Sequence, residues 1–137
     1  MDKVEKFLAV YETARNTPTE ENLLKLIESL LPFSPPGIEW GIEISSVAGV
    51  TYMLEGGRVI AVKVSRDEFG PFMQTSVAPV ELSSIPAVAL KNIRDVQSFI
   101  KKTAVHLGQW ASKMPPSNNQ KRLVEKLLQA LQAGGSL

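Results

Sequence analysis

The chain of 137 residues carries 15 Lys and Arg against 14 Asp and Glu, no cysteine and one histidine, His106. That length is one ordinary domain, able to bury roughly 70% of the surface its unfolded chain would expose. The absence of cysteine excludes disulfide frameworks, thiolate zinc sites, iron–sulfur clusters and Cys nucleophiles, and a lone histidine excludes His-rich metal sites.

The first segment, residues 2–15, spaces Val4, Phe7, Leu8, Tyr11 and Ala14 as one apolar face of a helix. Its charges at positions 2, 3, 5 and 6 are unlike a signal peptide. A second helix is expected to start at Thr17-Pro18-Thr19-Glu20, with Thr17 as cap and Glu20 closing a capping box, and to stop at Pro32. Residues 32–37 (PFSPPG) read as a stiff, extended linker.

The pattern then changes to a period of two. Ile38, Trp40, Ile42 and Ile44 alternate with Glu39, Gly41, Glu43 and Ser45, which predicts a strand with Trp40 in the core and both glutamates on the solvated face. Ala48-Gly49 turns the chain into a second strand at residues 50–54, and Glu55-Gly56-Gly57-Arg58 makes a hairpin turn into a third at 59–64. A polar loop at 66–71 follows. Residues 72–77, with 80–82 as a further stretch, can add a fourth strand, and Pro79 makes any such strand an edge or a broken one. From Leu90 to Met114 apolar residues recur every three or four positions, predicting one helix of about seven turns. Pro115-Pro116 ends it, Ser117-Asn118-Asn119-Gln120 opens a last helix, and Gly134-Gly135 closes that one.

The expected class is therefore α+β: two N-terminal helices (1–31), a central antiparallel β-meander of three to four strands (38–82) and two C-terminal helices (86–133) in a single domain. Two packings fit that order. Either the helices cover one face of the sheet, or they form a bundle from which the meander projects.

Enzymatic constellations are missing. The sequence has no GxxxxGK[ST], no GxGxxG and no GxSxG. On an extended strand Glu39 and Glu43 would stand about 13 Å apart, too far for a pair of glycosidase carboxylates. A metal-dependent nuclease of the helix-plus-meander kind needs an acid two residues before a lysine on the third strand. Ala61, Val62 and Lys63 occupy those positions, so the acid is missing. No enzyme, no metal and no cofactor is the expectation.

Charge is the informative asymmetry. Residues 1–86 hold seven cations and twelve acids, a balance of −5, whereas residues 87–137 hold eight cations and two acids, a balance of +6. On a helical wheel Lys91, Arg94, Lys101, Lys102 and Lys113 fall opposite the apolar arc with His106 at the margin, over about 33 Å of helix. Lys121, Arg122 and Lys126 extend the stripe onto the last helix. Phe99 and Trp110, near the edges of the apolar arc of the helix from Leu90, are expected in the core by their helical spacing, the alternative being an aromatic stacked on a base. Such a stripe can follow a phosphate backbone without sequence preference.

In size and element order (compact helices, a β insertion, a basic face) the chain resembles the small subunits of archaeal CRISPR effector complexes. That resemblance implies a place inside a larger assembly. The expected function is a non-catalytic, cytoplasmic subunit that binds RNA or DNA backbone through Lys91, Arg94, Lys101, Lys102, Lys113, Lys121 and Arg122, with no membrane partner. The alternative is a protein–protein adaptor or self-associating accessory protein, in which the acidic half of one copy meets the basic helix of the next.

Overall fold

The computed structural model describes residues 2–66 and 73–135. Helices α1 (Lys3–Asn16) and α2 (Glu20–Leu30) form a helical hairpin. Asp2 caps α1 by accepting from the Glu5 N–H at 2.8 Å. The cap of α2 is Thr19, not Thr17: its hydroxyl accepts from the Asn22 N–H at 3.2 Å, and the Asn22 amide closes on the Thr17 carbonyl at 2.8 Å. Asn22 thus ties both sides of Pro18, and this moves the helix start by two residues.

The expected linker is partly folded. Leu31–Phe33 makes one tight 3-10 turn, with Phe33, Ser34 and Pro35 buried. Gly37, at φ 98°, then leads into a second such turn at Ile38–Trp40. The alternation from Ile38 therefore does not mark a strand. Strand β1 begins only at Ile42 (Ile42–Val47), and a bulge between Glu43 and Ser45 breaks its period, so Ile44 and Ser45 are both buried. Trp40 is consequently half-buried on the surface turn instead of inside the sheet.

Strands β2 (Val50–Glu55), β3 (Arg58–Arg66) and β4 (Met73–Pro79) complete an antiparallel sheet in the order β1-β2-β3-β4. Ala48-Gly49 (φ 52° and 80°) and Gly56-Gly57 (φ 57° and 88°) are two-residue turns whose positive φ suits the twist of a hairpin. The fourth strand thus exists and lies at an edge. The expected loop at 66–71 and Phe72 fall outside the described residues, apart from Arg66, which ends β3.

The C-terminal part holds three helices, α3 (Ala87–Lys91), α4 (Val96–Lys113) and α5 (Asn119–Ala133). The single seven-turn helix is broken at 92–95. Asp95 caps α4 by accepting from the Ser98 N–H at 3.2 Å, and the Asn92 side chain donates to Ser45 Oγ on β1. A capping carboxylate and an amide held by the sheet stop the ladder, with Leu90 and Ile93 both in the core.

One hydrophobic cluster joins the parts. Phe7 meets Tyr11 and the edge of Phe33, with ring centroids 5.8 and 6.1 Å apart, and Leu26, Leu30, Leu107, Trp110, Val124 and Leu127 belong to the same cluster. Ile42, Leu54 and Val59 bring the sheet into the same cluster. Attachment runs through β1, against which α3 packs, whereas β4 packs on β3. The meander is therefore docked most closely at β1, with Leu54, Val59 and Val80 carrying the contact with the core onward.

Candidate functional site

The predicted basic stripe is divided by the break before α4. Lys91 ends α3 and Arg94 lies in the connection, both exposed. Lys101, Lys102 and Lys113 are exposed on α4. Lys102 and Lys113 are eleven residues apart, about 17 Å along the axis, on one flank, whereas Lys101 points about 100° away from Lys102. The straight 33 Å row is thus divided between α3 with its connection and α4.

Lys121 and Arg122 occupy the first turn of α5, which Asn118 caps by accepting from the Lys121 N–H at 2.9 Å. Their side chains turn back onto the preceding loop. Lys121 Nζ donates to the Met114 carbonyl at 2.9 Å, and Arg122 Nε donates to the Pro116 carbonyl at 3.3 Å. These two cations satisfy the C-cap carbonyl of α4 and one carbonyl of the α4–α5 loop. Together with Lys113 they form a basic corner at the α4–α5 junction.

Among the described residues, ion pairs join Lys25 to Glu21 and Arg58 to Glu55, at 3.2 and 3.1 Å. Neither pair involves the eight cations beyond residue 86. Phe99 and Trp110 are 8% and 2% exposed and fill the core, so neither offers a ring to a base. The aromatic that does reach the surface beside the cations is Trp40. Lys113 Nζ stands 5.0 Å from the centre of its ring, and the His106 ring lies 5.7 Å away on α4.

Below Trp40, β1 and the start of α4 enclose an open cleft of about 580 Å³. Glu39, Glu43, Asp95, Lys102 and His106 line it together with Ser45 and Asn92. Glu39 and Glu43 do not share a strand face; the turn at Ile38–Trp40 and the bulge bring both to this cleft. His106 Nε2 is held at 2.8 Å by the Trp40 carbonyl, and Ser46 joins both Glu43 and Thr51, at 3.3 and 2.7 Å. Among the described residues no group of three or more His, Asp and Glu side chains is set to hold a metal ion. The cleft thus mixes both signs of charge, while the outer surface of α3, α4 and the α4–α5 corner is cationic. Gly37 after two prolines marked the turn that assembles the cleft; nothing local marked the bulge.

No helix among the described residues is long and apolar enough to cross a membrane. No family model and no solved structure matches the chain. A CCA-adding enzyme of Pyrococcus furiosus is 25% identical over 87 residues, which cover 61% of this chain and 19% of that protein. The chain spans about a fifth of the length of the curated relative it matches.

Proposed function

We propose that this protein is a non-catalytic subunit that binds nucleic-acid backbone through its C-terminal helical surface, as part of a larger assembly. The observation that carries the reading is the set of eight cations beyond residue 86, none of them in an ion pair with a described residue, of which all but the half-buried Lys121 are exposed. Cations left without carboxylate partners keep their full attraction for phosphate, and they release counterions when they meet it. The partial similarity to a CCA-adding enzyme supports at most the nucleic-acid part of this reading, since that relative is by name an enzyme. Lys121 and Arg122 each commit one donor, Nζ to the Met114 carbonyl and Nε to the Pro116 carbonyl, and keep their other N–H groups for a phosphate at the edge of this surface.

The test is fluorescence anisotropy of labelled single- and double-stranded oligonucleotides at about 50 and 200 mM salt. Binding should weaken steeply with salt. The double reversal Lys101→Glu, Lys102→Glu should lower affinity and flatten the log–log salt slope by about 0.7 to 0.9 for each phosphate that is no longer neutralised. Unchanged affinity in that variant would sink the reading and leave the cations to an acidic protein surface.

A further inference from the structure

The two edges of the sheet are treated differently by the sequence. At β1 the edge is bulged, carries Glu43 and is covered by α3 and by the Asn92–Ser45 bond. These are the devices by which proteins stop a strand from pairing with another chain. Among the described residues β4 shows no bulge, no charge and no covering helix, and its one protective residue is Pro79 at the end. Residues 73–79 (MQTSVAP) contain no charge, the register with β3 runs from Ile60↔Pro79 to Arg66↔Met73 without a shift, and Thr75 to Pro79 are all exposed.

The hydrogen-bond parity of that edge can be read from one bond. The Val80 N–H donates to the Val59 carbonyl at 3.0 Å, and the register places these two residues directly opposite each other. In an antiparallel ladder such bonded pairs alternate with unbonded ones. The backbone groups of Ala78, Ser76 and Gln74 therefore point toward β3, and those of Met73, Thr75, Val77 and Pro79 point outward. Pro79, which has no N–H to offer, stands at an outward position and costs the ladder nothing.

We propose that β4 is a homodimerisation edge, on which the β4 of a second copy pairs antiparallel to form a continuous eight-stranded sheet. The strand is complementary to itself. A twofold axis at Thr75 sets residue 75 against its own counterpart and residue 73 against 77 of the other copy, so every outward N–H and C=O of these three residues meets an outward partner. Neither strand has a charge with which to repel its copy. The axis is perpendicular to the sheet, so the same face of both sheets is continuous across the junction. On that face Val64 and Val77 are 50% and 37% exposed, in a row with buried Ile60 and Val62, and a second sheet extends the row. Among the described residues β4 packs chiefly on β3, and Thr75 to Pro79 stay exposed. Such an interface is isologous and closes at two copies, unlike a head-to-tail union of acidic and basic halves.

Sedimentation velocity over a concentration series, at about 50 and 500 mM salt, tests this together with amide hydrogen exchange. A monomer–dimer equilibrium that high salt leaves in place is expected. The amides of Thr75 and Val77 should gain protection as concentration rises, while those of Ser76 and Ala78 are protected throughout. Thr75→Pro removes an outward N–H only, so it should give a monomer with an unchanged far-ultraviolet spectrum. A wild-type monomer at all concentrations, a dimer that dissolves in high salt, or rapid exchange at Thr75 and Val77 in the dimer would each overturn the proposal. Should Thr75→Pro not fold, the wild-type exchange pattern decides alone.

Discussion

His106 Nε2 lies 2.8 Å from the carbonyl oxygen of Trp40, a residue 66 positions earlier. A carbonyl only accepts, so Nε2 carries the proton and donates. This bond and the tilted ring contact at 5.7 Å fasten the turn at Ile38–Trp40 to the middle of α4. The expected result of His106→Ala is a loss of about 1 kcal/mol, the usual worth of one such bond. Trp40 should become more solvated and shift its fluorescence to the red, while Trp110, 2% exposed, stays unchanged. Urea titration followed by tryptophan emission reads both effects. A variant with wild-type stability and emission would show that the tether holds nothing.

Tyr11 presents the opposite case. Its hydroxyl is buried and, among the described residues, has no hydrogen-bond partner, while the ring packs on Phe7 with the Arg15 guanidinium 5.6 Å away. A buried hydroxyl without a partner opposes folding through its lost hydration. Tyr11→Phe keeps the ring and the cation contact, so it should be neutral or stabilising by up to about 1 kcal/mol. Calorimetry or urea unfolding checks the sign. A clear destabilisation would mean that the hydroxyl has a partner after all.

The cations of the C-terminal helices should separate into two kinds. Lys121 Nζ is bound to the Met114 carbonyl, whereas Lys101 is exposed and makes no ion pair with a described residue. Lys121→Ala should therefore cost about 0.5–1.5 kcal/mol of stability, and Lys101→Ala less than about 0.5. Anisotropy at low salt should rank them the other way, with Lys101→Ala the more damaging to oligonucleotide binding. Equal effects in both assays would erase the distinction.

Much of the fold was legible because it is written locally. Paired glycines at 56 and 57, Ala48-Gly49 and the apolar spacing of α1, α2 and α5 each dictate an element from within a few residues. What was hidden depends on partners far along the chain. Asn92 breaks a helix-like pattern because its side chain finds Ser45, 47 residues away. The period-two run from Ile38 fails as a strand because Gly37 turns the backbone and His106 captures the Trp40 carbonyl. The basic residues were visible as a composition, but the break before α4 decides which of them share a surface. The cleft joins residues 39–46 to 92–106, and no spacing rule reaches that far.

The proline-rich segment after α2 has a consequence of its own. Gly56 donates to the Pro35 carbonyl at 3.0 Å and Gly57 to Ser34 Oγ at 2.8 Å, while Gln120 Nε2 donates to the Pro32 carbonyl at 3.0 Å. A stretch with the composition of a tether is thus the junction at which the helical hairpin, the central β-hairpin and the last helix are bolted together. Such a junction couples the parts energetically: none can melt without removing partners from the other two. The protein should unfold in one step and resist cleavage at its own apparent hinge, and dividing it there would yield two halves unable to fold.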